Sequence, residues 1–516
     1  MHYSKLFSAQ NHLLSAHLIS VETDISRGLH SFSIVGLGDR SVDEAKDRVS
    51  AAIKNSGFKS PKQQNAKVVV SLAPADLRKE GPSFDLPIAL GYLLAADEID
   101  FDPEGKLFVG ELSLDGGLRK TGGVLSYARL ARREGFKEIF VPKENAAEAA
   151  HVEGLLVYGA ESLSQMIAHL SHEAHIHPEP APNHSSEFTR FNLCLDDVVG
   201  QEIGKRGLII AAAGGHNIAL YGPPGTGKTM LARALRSILP PLSREESLEV
   251  TEIHSIAGTL DGSIITEAPV RAPHHTASFS SLVGGGTGPK PGEATLSHRG
   301  ILFMDEFPEF DKKSLEALRQ PLEDRTISIA RAKGAATFPA DFILVAAMNP
   351  CPCGNFGSRQ KSCSCSAKDR SRYEKKVSGP IMDRIDLWIE VSKVDHDRLL
   401  SRRDPDNVDE FMSETSAARD AVARARHLQK TRAALLAIPA DKNASVSARD
   451  LARWAQLSEK AQHILDQGAK AHGLSGRGYH RVVKVARTIA DLSNSETIEA
   501  PHILEALQYR QKSFGA

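Results

Sequence analysis

Residues 222–229 are Gly-Pro-Pro-Gly-Thr-Gly-Lys-Thr, and they lie between the apolar run 218–221 and the helix-forming stretch 230–235. Glycines at this spacing let the backbone curl until its N–H groups point inward, and the following helix adds positive potential beneath that point. The pattern predicts a phosphate-binding loop of an α/β fold, in which Lys228 reaches the β- and γ-phosphates of a nucleoside triphosphate and Thr229 ligates Mg²⁺. The predicted nucleotide contacts are Gly222, Pro223, Pro224, Gly225, Thr226, Gly227, Lys228 and Thr229.

Two further apolar stretches end in polar residues that such a site requires. The run 301–304 is followed by Asp305 and Glu306, and the run 342–348 is followed by Asn349. Asp305 is the predicted partner of Mg²⁺, and Glu306 is the predicted base that orients the attacking water. Asn349 is predicted to sense the γ-phosphate or to hold that water. Each stretch alone fits a core strand that ends in a turn, but their order after the phosphate loop favours an ATPase.

Composition sets only broad limits on this interpretation. The chain has 516 residues, of which 41% are hydrophobic and 25% charged, as in an ordinary globular protein of about three domains. It contains no stretch of about 20 apolar residues and its N-terminus lacks the layout of a signal peptide, so we expect a cytoplasmic protein without a membrane partner. The net charge of −1 gives no overall attraction to nucleic acid, so DNA binding requires a local basic patch.

Two changes in composition predict the domain boundaries. Residues 171–186 are rich in Pro, His and small residues, which is typical of a linker, and metal binding by the histidines is the less favoured alternative. A β-like pattern ends near Val391, and the patterns that follow are helical. We therefore predict domains at 1–170, 187–394 and 395–516, of which the last is a helical lid.

The ATPase motifs resemble an AAA+ module of the magnesium-chelatase and helicase branch. Residues 28–29, 34–37 and 72–82 are similar to the bacterial family of competence protein ComM and its relative YifB, and the similarity covers essentially the whole chain. This resemblance implies an AAA+ ring, a homo-hexamer, that uses ATP and Mg²⁺ and acts as a DNA helicase. The implied task is branch migration of recombination intermediates, on single-stranded and branched DNA, in natural transformation or homologous recombination.

The same resemblance assigns roles to two arginines. The sequence around Arg384 is similar to the family's segment with the arginine that completes the active site of a neighbouring subunit. An ion pair between Arg384 and Asp383 or Asp386 of its own chain is the alternative. Arg477 resembles the lid arginine that contacts the nucleotide of its own subunit, and Arg481 is close enough to compete for that role.

Two segments are candidates for DNA contact. Residues 326–339 contain two alternating β-like arms around a turn at Lys333, which predicts a hairpin. In the helicases that this chain resembles, such a hairpin points into the ring channel, where Arg331 and Lys333 would grip successive phosphates. The glycine-rich segment 271–299 resembles a pore loop of the same branch. Its candidate contacts, which exposed loop residues unrelated to DNA would equally match, are Arg271, His274, His275 and Lys290.

A further basic stretch lies at 419–432. Helical spacing would place several of its cations on one face, which fits contact with a DNA backbone or simply a solvated helix surface. The cations are Arg424, Arg426, Lys430 and Arg432.

Four of the five cysteines form two Cys-x-Cys pairs, Cys351 with Cys353 and Cys363 with Cys365. A cytosolic chain keeps its thiols reduced, so a disulfide framework is disfavoured and a structural zinc site with four thiolate ligands becomes the hypothesis. The single residue within each pair is tighter than the usual spacing, so a reduced, metal-free loop stays open as the alternative. Zinc bound there would brace the chain that leads to Arg384.

The N-terminal domain resembles Lon-type proteases but departs from them at one position. Residues 79–83 are similar to the segment around their nucleophilic serine, here Ser83, and 110–114 to the strand before their catalytic lysine. A serine–lysine dyad needs an amine to take the hydroxyl proton. The position that aligns with this lysine is Leu125, and Lys120 lies on the other side of the intervening glycines. We therefore predict a Lon-like α+β fold without peptidase chemistry, used for assembly or DNA contact.

Three function classes compete for this chain. A DNA-translocating motor is favoured by the ATPase residues, the hairpin and the family resemblance. The motor subunit of a metal chelatase, or of another AAA+ remodelling complex, is the alternative because it shares the same branch, although the Lon-like domain argues against it. An ATP-dependent protease is disfavoured because Leu125 stands where the lysine is required.

Overall fold

The computed structural model describes most of the chain. The described residues are 2–12, 15–63, 65–79, 81–181, 191–260, 263–285, 290–331, 334–357, 361–394 and 413–510. They form two compact units, of which the first comprises Met1–Ser186 with Arg244–Ile265 and the second Glu187–Ser243 with Thr266–Ala516. In the described segments, no helix has both the length and the apolar character that a membrane crossing needs.

A seven-stranded sheet is the centre of the first unit. Its strands, in spatial order, are Ser31–Val35, Ala66–Ala73, Ser15–Arg27, Tyr3–His12, Lys106–Phe108, Glu138–Pro142 and Leu156–Ala160. Ser15–Arg27 pairs antiparallel with both of its neighbours, and the remaining pairs are parallel. Along Ala66–Ala73 the even-numbered residues are buried, because a strand that covers a core on one face alternates apolar and polar side chains.

The helices of the first unit include one from a distant part of the chain. They are Arg40–Asn55, Asp85–Ala95, Val124–Arg133, Lys143–Ala149, Leu163–Leu170 and Arg244–Ala257, with a 3₁₀ turn at Pro61–Gln63 and a short hairpin of Glu111–Leu112 and Leu118–Arg119. Ser255, on Arg244–Ala257, donates to Glu148 at 2.6 Å, and Glu252 pairs with Arg129. The predicted core 187–394 thus contributes residues 244–265 to the first unit.

A five-stranded parallel sheet is the centre of the second unit. Its strands, in spatial order, are Val270–Arg271, Ile301–Met304, Ile343–Met348, Ile218–Tyr221 and Leu387–Glu390. The central strands are short, apolar and buried throughout, as in parallel sheets covered on both faces. The carboxyl ends of parallel strands meet at one edge, so the loop 222–229, Asp305 and Asn349 all begin at the same edge.

Helices surround and follow the strands of this sheet along the chain. Those that precede residue 395 are Glu202–Gly214, Lys228–Ala234, Phe279–Val283, Glu293–Leu296, Lys312–Ala317, Arg319–Asp324, Ala367–Glu374 and Gly379–Met382, with 3₁₀ turns at Leu195–Asp197, Leu235–Ile238 and Phe307–Glu309. The C-terminal helices are Ser413–Leu436, Leu451–Trp454, Glu459–Ala471, Gly476–Leu492 and Ala500–Gln508, with a 3₁₀ turn at Asn443–Ser445. One hydrophobic cluster joins core strands to C-terminal helices through Ile218, Val422 and Val485. The predicted α/β fold with a central parallel sheet and a helical C-terminal region is confirmed.

The described part of the second unit also contains two antiparallel hairpins that are separate from the five-stranded sheet. Thr326–Arg331 pairs with Gly334–Pro339, within the range where alternation predicts a hairpin. Gly284–Gly285 pairs with Lys290–Pro291 inside the predicted pore-loop segment.

Candidate active site

The phosphate loop follows strand Ile218–Tyr221 and depends on glycine at two positions. A side-chain carbon at Gly222 would lie 2.2 Å from the carbonyl oxygen of Val391 on the neighbouring strand's end. Gly227 has a φ of 93° and caps the helix Lys228–Ala234. A side chain would clash at Gly222, and residues with a side chain rarely adopt the backbone conformation of Gly227. The shape of the loop therefore requires glycine at both positions.

The Lys228 ammonium lies within the loop. Nζ donates to the carbonyl oxygens of Gly222 and Pro223, both at 2.8 Å, and to Oδ1 of Asn349 at 3.2 Å. Burial lowers the pKa of Lys228, and the carboxylate of Asp305 opposes this shift. Because a buried cation with mostly neutral oxygen partners is stabilised by an added anion, the phosphates of a nucleotide fit this position.

Thr229 and Asp305 meet across two elements. The Thr229 hydroxyl donates to Oδ2 of Asp305 at 3.1 Å, and Asp305 follows strand Ile301–Met304 directly. A hydroxyl beside a carboxylate is a donor set that Mg²⁺ takes in phosphate-binding sites. The two residues therefore fit a Mg²⁺ ion that also binds phosphate oxygens.

Glu306 lies at the same edge of the sheet and contacts a histidine. Its backbone is left-handed, with a φ of 52°, and its N–H donates to Oδ1 of Asp305 at 3.0 Å. Oε2 of Glu306 lies 3.1 Å from Nδ1 of His275. The sequence predicts His275 only as a DNA contact. Its contact with Glu306 could not be predicted, because the two residues are distant along the chain and no spacing relates them.

Glu323 joins the two predicted arginines. Arg384 and Arg477 both pair with its carboxylate, Arg477 at 3.1 Å. Arg384 is buried, and burial together with the charge of Arg477 lowers its pKa. Asp386, one alternative partner of Arg384, instead pairs with Arg481 at 3.0 Å. Sequence reasoning missed Glu323, since one acid in a mixed charged segment has no pattern that distinguishes it.

The predicted DNA contacts differ in how the structure places them. His274 and Lys290 are exposed, whereas Arg271 forms a double hydrogen bond with Glu293 at 2.6 and 2.8 Å. The strand Thr326–Arg331 reaches the turn of the hairpin. Lys333 and the side chain of Arg331 lie outside the described residues, so their predicted role stays a prediction.

The four paired cysteines converge in space. Their sulfur atoms all lie within 4.8 Å of one another, and Sγ of Cys351 is 3.4 Å from Cys353 and 3.7 Å from Cys363. Thiolates around a tetrahedral Zn²⁺ lie about 3.8 Å apart, because each Zn–S bond is about 2.3 Å long. A backbone N–H at Asn355 lowers the pKa of Cys353 to about 5, whereas burial raises the pKa of Cys351. The pKa of Cys365 is also raised, since burial and the other thiols outweigh the backbone N–H of Cys353, so the fit to zinc rests on the positions of the sulfur atoms. Together with Cys365, these residues fit a zinc ion.

The loop formed by these cysteines lies against the phosphate loop. The backbone of Gly354 approaches the ring of Pro224 so closely that a side-chain carbon would lie 2.7 Å from Cδ. Cys351 is buried, and its Sγ accepts from the N–H of Phe356 at 3.4 Å. The cysteine loop is therefore in direct contact with a predicted nucleotide-binding residue.

The positions that resemble a protease site lie in the first unit. Ser83 and Leu125 are buried, and Lys120 is exposed. Lys79 is buried as well, and its ammonium donates to the carbonyl of Pro74. Burial lowers the pKa of Lys79. The absence of peptidase chemistry stays a prediction.

The second unit has the features of a P-loop module of the AAA+ class. These are the order of its strands, the phosphate loop, the acidic residues after a strand and the helical C-terminal region. The family model described as magnesium chelatase, subunit ChlI, matches residues 194–399. The model described as subunit ChlI of Mg-chelatase matches 21–145, and the ChlI C-terminal model matches 412–510. The second unit is thus a magnesium-chelatase-like AAA+ module.

Relatives that match almost the whole chain show which family of this class the chain belongs to. The competence protein ComM of Haemophilus influenzae is 42% identical over 507 residues, which cover 96% of this chain and 95% of that protein. The uncharacterized protein YifB of Salmonella typhimurium is 40% identical over 501 residues, with 96% and 95% covered. The chain belongs to the family of ComM and YifB. The DNA replication licensing factor mcm6 of Schizosaccharomyces pombe is 27% identical over 263 residues, covering 48% of this chain and 26% of that protein.

Proposed function

We propose that the protein is an ATP-driven motor that assembles as a ring and moves DNA. The observation that carries the proposal is the meeting of Lys228, Thr229, Asp305 and Asn349 at one edge of a parallel sheet. These residue types at one edge are what hydrolysis of a nucleoside triphosphate requires. Kinship with competence protein ComM, and partial likeness to a DNA replication licensing factor, support a task on DNA.

Each residue has its own part in hydrolysis. Lys228 binds the β- and γ-phosphates, while Thr229 and Asp305 hold Mg²⁺, which when bound neutralises charge on the phosphate oxygens. Asn349 orients the attacking water, and Glu306 accepts a proton from it.

The arginine pair at Glu323 supports a ring. Arg384 and Arg477 share the single carboxylate of Glu323, so the three side chains together carry a net positive charge. This charge can bind the phosphates of a nucleotide held by another subunit. AAA+ sites are completed by an arginine of the neighbouring subunit. Because Arg477 lies with Arg384, we place both at the neighbour's nucleotide, whereas the family resemblance assigned Arg477 to its own subunit. The resemblance implies six subunits.

DNA contact is proposed for the exposed side chains His274 and Lys290 and for the hairpin residues Arg331 and Lys333. Cations in a ring channel bind DNA phosphates without regard to sequence. Hydrolysis that changes the subunit interface would move these segments and pull DNA through the ring. The proposed outcome is branch migration of single-stranded and branched recombination intermediates, in natural transformation or homologous recombination.

The cysteine cluster is proposed as a structural zinc site. Four thiolates fill the tetrahedral coordination of Zn²⁺ and leave no position for a substrate. The ion would hold the cysteine loop against Pro224 and so support the phosphate loop.

The family models favour one second candidate function, the motor subunit of a metal chelatase. All three matched models are described by the magnesium chelatase subunit ChlI. A chelatase motor would raise its ATP turnover with chelatase partner subunits, whereas a DNA motor would do so with branched or single-stranded DNA.

The proposed function is tested on a labelled three-strand DNA junction. We expect strand displacement that needs ATP and wild-type protein, and none with Glu306→Gln, which binds ATP but cannot activate water. An assembled ring that hydrolyses ATP without displacing a strand would contradict the DNA motor and favour the chelatase-like candidate.

A further inference from the structure

We infer that Asn217 is a positioning residue that holds the backbone of Arg384 in the place from which this arginine completes the ATP site of a neighbouring subunit. The inference rests on the proposed function, because it takes Arg384 as the arginine supplied to the neighbour. It adds a buried side chain that connects the sheet of one subunit to the turnover of the next.

Asn217 lies at the edge of the five-stranded sheet where the strands begin. It directly precedes strand Ile218–Tyr221, which pairs in parallel with strand Leu387–Glu390. Arg384 lies just before the second of these strands, whereas the phosphate loop 222–229 follows the first. The backbone of Arg384 is therefore at the opposite edge of the sheet from the phosphate loop of its own subunit, which agrees with a role at another subunit's nucleotide.

Both ends of the Asn217 side-chain amide bind backbone groups. Nδ2 donates to the carbonyl oxygen of Arg384 at 3.0 Å, and Oδ1 accepts from the N–H of Leu344 at 2.9 Å. Leu344 belongs to strand Ile343–Met348, which is followed directly by Asn349. One side chain thus connects the backbone of the arginine to the strand that leads to the residue predicted to sense the γ-phosphate.

The backbone of Asn217 binds the residues that follow Arg384. Its carbonyl oxygen accepts from the N–H groups of Asp386 and Leu387, at 3.0 and 3.1 Å, and its N–H donates to Oδ2 of Asp386 at 3.2 Å. A change of the side chain leaves these backbone groups in place and removes only the bonds to Arg384 and Leu344. Because Asn217 is buried, water does not readily replace the lost partners.

The position of the Arg384 backbone determines where its guanidinium can reach. Nη1 donates to the carbonyl oxygen of Pro380 at 2.6 Å, in the short helix Gly379–Met382, and Nη2 pairs with Glu323. A misplacement of about 1 Å costs a catalytic group up to about a hundredfold in rate. The Asn217 amide limits such a shift, since it binds the carbonyl of Arg384 itself.

The first test measures ATP turnover by the full chain in wild type, Asn217→Ala and Asn217→Asp. Alanine removes both amide bonds, whereas aspartate keeps an acceptor for Leu344 and loses the donor to Arg384. We expect both variants to lower kcat by at least about tenfold, because the arginine is misplaced. The KM for ATP should change little, since the phosphate loop keeps its own contacts. An unchanged kcat in both variants overturns the inference.

Mixing with Glu306→Gln distinguishes a misplaced arginine from damage to the variant's own site. Asn217→Ala keeps its own Glu306, and Glu306→Gln offers a well-placed Arg384. An equimolar mixture should therefore regain about a quarter of wild-type turnover, since about a quarter of the interfaces join the two intact groups. A mixture of Asn217→Ala with Arg384→Ala has no well-placed arginine and should not exceed Asn217→Ala alone. A structural defect at the variant's own phosphate loop would not be restored by either mixture, and that result overturns the inference.

Asn145→Ala is the matched control. Asn145 is also buried, and its amide likewise binds two backbone groups, the N–H and the carbonyl of Thr121 in the first unit. This variant loses similar hydrogen bonds and should keep wild-type turnover. If Arg384→Ala and Glu306→Gln regain no turnover when mixed, the proposed ring site is wrong. If they regain it and Asn217→Ala does not, only the role of Asn217 is wrong.

Discussion

Asp341 lies beside the hairpin 326–339 and is bound by three cations. Its carboxylate is 2.6 Å from Arg325, 3.2 Å from Arg299 and 3.0 Å from Lys442. Burial would raise the pKa of Asp341, but the three cations outweigh that effect and hold the pKa well below its usual range. Lys442 lies between the C-terminal helices Ser413–Leu436 and Leu451–Trp454. The Asp341 carboxylate therefore connects the end of the hairpin to the C-terminal helical region.

Asp341→Asn is expected to lower the free energy of unfolding by about 3 kcal/mol near pH 7, since it removes the carboxylate that three half-buried cations share. The folded pKa of Asp341 lies below the unfolded value of about 3.9, so its stabilisation is complete above that value and is lost as the pH falls toward the folded pKa. Denaturant unfolding of both proteins at several pH values measures the difference. The gap should be full near neutrality and narrow below about pH 4.

The exposed Asp420 provides the control, because Asp420→Asn removes the same charge from the surface. It should leave the unfolding midpoint unchanged. A destabilisation by Asp341→Asn that stayed constant from neutral to acidic pH would contradict an ionised, paired Asp341.

Residue roles could be predicted from the sequence where chemistry depends on local spacing. The loop 222–229 identifies Lys228 and Thr229, because backbone curvature and side-chain reach are set within a few residues. The partners of Glu306 and Asp341 come from distant segments, and no spacing along the chain relates them. Glu323 was missed for the same reason.

Among elements, the hairpin and the long C-terminal helix differ in what the sequence could predict. Alternation places the hairpin at 326–339, where its strands are found. Helical spacing groups the cations of Ser413–Leu436 but cannot tell which face packs inward. Arg426 donates to a core carbonyl and Arg432 pairs with a buried aspartate, so only part of the predicted basic face can meet DNA.

The cysteine loop gives a prediction about metal content and nucleotide binding. We expect the purified protein to contain about one zinc ion per chain, and Cys363→Ser to lose it, because three thiolates cannot fill the site. Loss of zinc should weaken nucleotide binding by about tenfold, since the loop contacts Pro224 of the phosphate loop. Metal analysis and titration with a fluorescent ATP analogue, before and after chelation, measure both effects.

Cys194→Ser is the matched control, because Cys194 lies outside the cluster and should affect neither quantity. Zinc-free protein that binds nucleotide as tightly as before would show that the loop does not support the phosphate loop.

For the whole molecule, composition indicates where a segment changes character but not which compact unit that segment joins. Proline and histidine predict a linker at 171–186, and that assignment stays a prediction; the two compact units divide between Ser186 and Glu187. The segment Arg244–Ile265 belongs to the first unit, and the prolines 240–241 before it and the glycines Gly258 and Gly262 near its end resemble ordinary loop residues. Its apolar and polar residues look like those of any core helix, so only tertiary packing shows which unit it joins.

Assembly into a ring is tested by mixing two inactive proteins. Arg384→Ala should bind ATP but lose turnover by about a thousandfold, the effect of removing an arginine finger. Glu306→Gln should bind ATP, assemble and still offer Arg384 to its neighbour. In an equimolar mixture, about a quarter of the interfaces would combine an intact base with an intact arginine, because each ring interface joins different surfaces of two subunits. ATP turnover should therefore reappear on mixing, in proportion to those interfaces. If it does not, Arg384 acts within its own chain, and the pairing with Glu323 is a structural contact.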